Sequence, residues 1–404
     1  MTGDAAWIAA PVLVPLVACA VLLVVEKLAP RAQFAVALMA TLAGLAVALK
    51  LFAHAATGSI DAYLLGNWPA PYGIALVLDR LSALMVLLTF LLALPGLLYG
   101  EPRFAERAPH FRAFYQFELA GLSGAFLTGD LFNLFVFFEV LLIASYALLL
   151  HAAGPRALAT GFRYVVVNLV GSSLFLVAVS LLYGVTGTLN LADLALKVPS
   201  VPPESLGLLR AAGLMLLVVF AIKAAIVPLG YWRPGAYAAA PAPATVLFAL
   251  MTKVGVYAVL RVGSVAFGPE DGALAGLGQA ALLVLGIVTI GVAAIGSWAA
   301  RRLGSLAAFL VMLSAGTLVA SVSTGSVATV AGAIYYAAHS TFAGALLFLL
   351  ADAIGHQRGE VADALVTGPP IQQKVLLGLL FVLGAAATAG LPPFSGFIGK
   401  LMIL

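Results

Sequence analysis

Leu131-Phe-Asn-Leu-Phe-Val-Phe-Phe-Glu139-Val-Leu-Leu-Ile-Ala-Ser145 decides the fold class of this chain. The run continues apolar to Leu150, and about 20 such residues cross the hydrocarbon core of a bilayer as a helix. Glu139 is the exception inside it. An ionisable group at mid-membrane costs at least a few kcal/mol, and apolar neighbours on both sides leave the carboxyl no route to water. Two readings stand: a neutral carboxyl held by a hydrogen bond, or a carboxylate paired with a buried lysine on a neighbouring helix.

The rest of the chain repeats the pattern. Of 404 residues, 63% are hydrophobic and 9% charged, against roughly 45–50% and about 25% in soluble domains. One globular core cannot hold that excess, so the solvent must be lipid. Apolar runs between polar breaks give about twelve spans, at 7–25, 33–54, 76–99, 112–128, 131–150, 160–184, 207–232, 243–266, 275–298, 303–323, 327–353 and 375–404. The class is an all-α polytopic membrane protein with no second, soluble domain. The single cysteine, Cys19, sits inside an apolar run, which excludes a disulfide, a CxxC pair or a cysteine metal cluster. No iron–sulfur cysteine set, GxGxxG loop or haem motif is present, so no cofactor, no metal and no redox chemistry are expected of the chain itself.

The net charge of +4 follows from topology and calls for no nucleic acid. One set of alternate loops holds Lys27, Arg31, Arg103, Arg107, Arg112, Arg156, Arg163, Arg233, Arg301, Arg302, Arg358 and Lys374, and the other only Lys197, Arg210 and Arg261. The excess of positive charge marks the cytoplasmic side. It puts the N-terminus outside and the charged loop 101–112 in the cytoplasm. Residues 1–4 lack the basic start of a secretion signal, so the first run is expected to be retained. The last run stops at Leu404 with no polar flank, and the sequence is expected to be truncated there.

Three lysines share the anomaly of Glu139. Lys223 precedes Pro228 by five residues, and that proline removes a backbone donor and clashes with the carbonyl of Ala224. Broken backbone at membrane depth is tolerated only beside protein or a water-filled cavity. Lys253 lies two residues before Gly255, which permits local unwinding. Lys400 follows Gly390-Leu-Pro392-Pro393-Phe-Ser-Gly396-Phe-Ile-Gly399, a segment that cannot be one continuous helix. Burial disfavours a charged lysine and a nearby carboxylate favours it, so moving the carboxylate loads and unloads the proton. His339 has apolar flanks on both sides, and an imidazole suits proton relay. Glu118 is expected to reach the cytoplasmic edge and to be structural. Asp79, Arg80 and Lys50 belong to the interface, and Asp130 caps the following helix.

Thr128-Gly-Asp130-Leu-Phe-Asn133-Leu-Phe-Val-Phe-Phe-Glu139 resembles the fifth-helix signature of antiporter-type membrane subunits. Ile222-Lys223-Ala-Ala-Ile-Val-Pro228 and Thr252-Lys253-Val-Gly-Val-Tyr257-Ala-Val-Leu-Arg261 are similar to the motifs that follow it, and the segment from Gly390 to Lys400 to the broken twelfth helix. The family includes pumping subunits of respiratory complex I, subunits of membrane-bound hydrogenases and Mrp-type antiporter subunits. The wording around Glu139 looks most like the D-type subunits of Mrp multisubunit cation/proton antiporters. The resemblance implies about fourteen helices in two inverted repeats, each with one discontinuous helix. It implies a Glu139–Lys223 charge pair, Lys253 as connecting residue, His339 in a central relay and Lys400 as the terminal proton site. Domains follow as 1–111, three N-terminal helices, and 112–404, the proton-channel domain. Two departures stand out. Arg233 occupies a position where an apolar residue is expected, and no histidine lies near Tyr237.

The implied function is proton translocation in a bacterial inner-membrane Na+ or K+/H+ antiporter, with other antiporter subunits as partners and no enzymatic activity. The alternative is a proton-pumping subunit of a complex I or hydrogenase-type redox enzyme. An inactive scaffold would have no use for Lys223 or Lys400, whose cost argues against it.

Overall fold

A computed structural model describes residues 5–104, 109–151, 155–267 and 274–404. The expected outside N-terminus at residues 1–4 and the middle of the expected cytoplasmic loop, 105–108, lie outside the described residues. In chain order the elements are α1 (Ala10–Leu28), α2 (Gln33–Ala56), β1 (Asp61–Leu64), β2 (Ala75–Leu78), α3 (Arg80–Phe104), α4 (Phe111–Leu127), α5 (Leu131–Leu150), α6 (Pro155–Thr186), α7 (Leu191–Lys197) and α8 (Leu206–Ala224). Then come α9 (Arg233–Ala239), α10 (Ala242–Arg261), α11 (Gln279–Ala299), α12 (Leu303–Val322), α13 (Val327–Gln357), α14 (Lys374–Ala389) and α15 (Ser395–Ile403).

Ten helices among the described residues are long and apolar enough to cross a membrane: α1, α2, α3, α5, α6, α8 and α10 to α13. The other two expected spans are α4, with 17 residues, and the interrupted pair α14 and α15. The protein is a multi-pass membrane protein. It divides into two compact units, one of Met1–His151, Asn168–Val219 and Leu260–Leu277, the other of Ala152–Val167, Phe220–Val259 and Gly278–Leu404. In this division α6, α8 and α10 each contribute residues to both units.

Two span boundaries need correction. The third span starts at Arg80, not 76. Residues 75–78 form β2, paired antiparallel with β1 so that Asp61 faces Leu78. Asp79 then stops the strand and starts the helix. Its carboxylate accepts the Ser82 N–H at 2.8 Å while the Ser82 hydroxyl accepts the Asp79 N–H at 2.8 Å, a reciprocal cap. Burial would raise the Asp79 carboxyl, but the Arg261 guanidinium and Ser82 outweigh it and hold the group below its ordinary range. The seventh span ends at Ala224 rather than 232. Beyond it Ala225 adopts φ 51°, and no regular helix resumes until α9.

In the first unit, the Thr128-Gly-Asp130 corner is a junction. Gly129 donates to the Ala75 carbonyl of β2 at 2.8 Å, and its own carbonyl accepts from Leu191 of α7 at 2.9 Å. Asp130 caps α5 by accepting the Asn133 N–H at 2.9 Å, and the Asn133 side chain donates to the Thr128 hydroxyl at 3.0 Å. The polar residues at the head of the Glu139 helix therefore fix where that helix begins.

In the second unit, the end of α8 and the middle of α10 touch backbone to backbone. A Cβ on Gly255 would lie 2.2 Å from the Ala224 nitrogen and 2.7 Å from the Lys223 carbonyl carbon, distances at which no side chain fits. Small residues allow such approaches between membrane helices. Gly255 thus serves close packing, where the sequence suggested unwinding: α10 is regular through it.

Candidate proton-transfer site

Glu139 belongs to the first unit. It is half-buried on α5, and its Oε1 accepts a hydrogen bond from the Ser172 hydroxyl of α6. Phe135 and Phe138 pack their rings against Phe175 of α6, each with centroids 5.8 Å apart, which keeps this surface apolar around the acid. Glu118 corrects an expectation. It does not reach the edge but is 0% exposed, and neither carboxyl oxygen has a hydrogen-bond partner among the described residues.

Lys223, in the last turn of α8, is buried at 8% exposure. The break after it frees backbone groups that must find partners. The Ala224 carbonyl accepts from the Arg233 guanidinium, and the Val227 N–H donates to the Thr289 hydroxyl at 2.9 Å. Pro228 lies in this non-helical stretch. Arg233, unexpected in sequence, therefore completes the broken helix end. It is fully buried, its guanidinium lies 5.8 Å over the Tyr237 ring, and the adjacent Trp232 stacks on Tyr164 at 4.7 Å. Arginine suits the role because its planar fork stays charged and stacks on aromatic rings.

Lys253, 1% exposed, donates to the Ser314 hydroxyl of α12 at 3.2 Å. Ser314 in turn donates to the Val311 carbonyl at 2.8 Å and lines a cavity of about 270 Å3 whose walls include Tyr336, His339, Thr388, Ala389 and Lys400. At about 30 Å3 per water molecule, the cavity has room for several. Three of the lysine and histidine candidates thus converge: His339 and Lys400 line one cavity, and Lys253 meets its wall through Ser314.

Pro392 and Pro393 lie between α14 and α15, and the break explains Lys400. The last carbonyls of a helix have no partner within it. The Lys400 ammonium donates to two of them, Thr388 at 3.0 Å and Ala389 at 2.9 Å. A cation at that end is also favoured by the helix dipole, by about 0.3–1 kcal/mol. His339 reads the same break. Its Nε2 lies 3.0 Å from the Ala387 carbonyl and its Nδ1 2.8 Å from the Ser395 hydroxyl. A carbonyl only accepts, so Nε2 carries the proton and Nδ1 accepts from Ser395. Gly396 is required for this contact, because a Cβ there would lie 2.5 Å from Nε2. Sequence reasoning missed Ser172, Ser314, Ser395 and the α14 carbonyls. The one available signal was a hydroxyl inside an apolar run, shared by many serines that only bond their own helix.

Comparison with known proteins agrees with the geometry. Residues 128–404 match the membrane-domain family described as NADH:quinone oxidoreductase/Mrp antiporter, TM. The probable D-type subunit of a K(+)/H(+) antiporter of Rhizobium meliloti is 43% identical over 417 aligned positions, covering 98% of this chain and 77% of that protein. The D-type subunit of a Na(+)/H(+) antiporter of Bacillus subtilis is 38% identical, covering 97% and 79%. Among solved structures, a chain of the Mrp complex from a Dietzia species superposes with a TM-score of 0.87 at 30% identity, covering all of this chain and 74% of that one. With the match running through both helix breaks and all five candidate residues, this chain belongs to the NADH:quinone oxidoreductase/Mrp antiporter family of membrane subunits.

Proposed function

We propose that the chain is the D-type, proton-translocating subunit of a multisubunit Na+ or K+/H+ antiporter in the bacterial inner membrane, with its N-terminus outside. The observation that carries this is the train from Lys253 through Ser314 to the cavity of His339 and Lys400. Relatives named as D-type subunits of K(+)/H(+) and of Na(+)/H(+) antiporters favour this reading over a redox complex.

In this reading Lys400 holds a proton against the α14 carbonyls and passes it through cavity water. His339 accepts at Nδ1 once the Ser395 hydroxyl turns away, and releases from Nε2. Ser314 receives on one lone pair and donates on its hydroxyl, so rotation of that group moves a proton toward or away from Lys253. Glu139 and Lys223 each serve the first half-channel as groups that take up and release a proton. Other antiporter subunits complete the cation path. The test is to add Na+ or K+ to respiring everted vesicles that carry the whole complex and a pH-sensitive dye. Cation-induced dequenching is expected. No response to either ion, with the complex assembled, overturns the reading.

A further inference from the structure

In the first unit, His151 closes α5 at the end that faces the charged loop. Both of its ring nitrogens meet backbone carbonyls. Nδ1 lies 2.6 Å from the Ala147 oxygen on α5, and Nε2 lies 2.6 Å from the Pro109 oxygen, just before α4. A carbonyl only accepts, and a neutral imidazole has one N–H. The neutral ring would turn a lone pair toward one of the two oxygens, so only the imidazolium donates to both. The surroundings suit that cation. The last carbonyls of a helix lack partners within it and carry the negative end of its dipole. The rings of Phe111 and Phe114 pack on the imidazole with centroids 6.1 and 6.0 Å away, and an aromatic face attracts a cation. His151 is half-buried, so its proton can still trade with water.

A second histidine holds the Pro109 oxygen in place. His110 stands at the start of α4 with φ 62°, a left-handed conformation uncommon for a residue with a side chain. Glu26 of α1 keeps it there: one carboxylate oxygen accepts the His110 N–H at 3.1 Å, and the other pairs with the ring Nδ1. His151 therefore ties the end of the helix that carries Glu139 to a corner anchored on α1. The other charged or titratable groups toward this end, among the described residues, are Arg31 between α1 and α2, Tyr99 on α3, Arg112 and Tyr115 on α4, and Tyr146 on α5. Arg112 donates to the Gln33 side-chain oxygen and Tyr115 to the Ala93 carbonyl, both at 2.9 Å. Glu26 is the acid of this group and serves His110, so carbonyl dipoles meet the charge on His151. This end belongs to the side marked as cytoplasmic by positive charge.

We propose that His151 is a cytoplasmic proton-binding site that regulates exchange without carrying it. Imidazole is the side-chain type whose charge changes near neutral pH. With the proton bound, the ring clamps the C-terminal end of α5 to the entrance of α4. When the cytoplasm turns alkaline, one ring nitrogen gives its proton to bulk water, its lone pair then faces a carbonyl, and that contact opens. Protonation supplies the second donor that closure needs, so it favours closure, and by the same linkage its loss favours release. Asp130 already fixes the other end of α5. The closed clamp thus holds both ends of the helix that bears Glu139, and opening frees that acid to move. An antiporter that exports Na+ or K+ brings protons in, so a clamp shut by cytoplasmic protons slows their entry when the cytoplasm is acid. The proposal rests on the antiporter reading, and the cavity of His339 and Lys400 belongs to the other unit.

Everted vesicles carrying the whole complex turn the cytoplasmic face outward, so the pH of the medium sets the state of His151. The parent is expected to exchange faster in mildly alkaline than in mildly acid medium. His151→Arg keeps a cation with donors for both carbonyls at either pH, and is expected to hold the slow, acid-side rate throughout. His151→Leu has no donor and is expected to hold the fast rate throughout. A parental pH profile in either variant, or the two rates reversed, overturns the proposal. Backbone hydrogen exchange of the purified complex reads the clamp without transport, in segments 109–114 and 147–151, with parent and variant compared at the same pH. The parent is expected to match His151→Arg in acid and to exchange faster than it in alkali; equal protection at both overturns the clamp. An inactive parent overturns the antiporter reading, and hydrogen exchange then judges the clamp by itself. If one variant fails to assemble, the other decides against the parent by the same two measurements. Failure of both to assemble makes His151 a structural residue and also overturns the proposal.

Discussion

A single ammonium group, Lys400, shows how much chemistry the broken helix supplies. Two helix-end carbonyls hold the protonated form, and no carboxylate among the described residues is bonded to it, so hydrogen bonds rather than an opposite charge stabilise it. Arginine would keep those hydrogen bonds and never release its proton. Lys400→Ala and Lys400→Arg are both expected to abolish proton-coupled cation efflux while the complex still assembles; near-normal exchange in Lys400→Arg would reduce the residue to a fixed charge. Glu139 and Lys223 make a different case. If both serve one proton step, as proposed, the double substitution is expected to cost less exchange than the sum of the singles. Additive losses of exchange, at matched expression, count against the pair. These residues were legible in the sequence because a charge inside an apolar run has few excuses. Their neighbours were not. Ser314 looks like Ser180, yet one meets Lys253 and the other only bonds its own helix.

At the level of elements, the two breaks are closed in different ways. The one after α8 is satisfied by side chains brought from elsewhere, Arg233 and Thr289, and the one after α14 by the lysine of the next helix segment. Prolines announced both in sequence, but nothing there revealed what would fill them. The β1–β2 hairpin escaped because Ala75–Leu78 is as apolar as the helix that follows it, and only the Asp79–Ser82 cap separates them. Gly255 is the contact on which the α8 break leans. Gly255→Ala would drive a methyl into the backbone at Ala224, and overpacking of this kind costs about 1–3 kcal/mol. The expected result is lower thermal stability of the purified complex together with reduced exchange; parental stability would show that α8 and α10 can separate there without penalty.

Taken whole, the molecule follows a charge asymmetry that hydropathy alone would miss. The proposed orientation rests on the alternating loops, and it puts the hairpin on the side poor in basic residues. Tyr72, 83% exposed, is therefore expected as Tyr72→Cys, in a Cys19→Ser background, to react with an impermeant reagent in intact cells. Reaction only after the membrane is everted would invert the topology. The spans were legible because lipid-facing helices must be apolar, and α11 shows the rule with few buried residues. Helix α10 obeys a different one: every residue from Ala242 to Val259 is buried. Its lysine waits for a partner 61 residues further along the chain. At about 5–20 residues per second of synthesis, that is roughly 3–12 s for each nascent copy. During that interval α10 has neither its finished protein surroundings nor its serine, so the order in which the ribosome delivers helices becomes part of how a buried cation survives to be used.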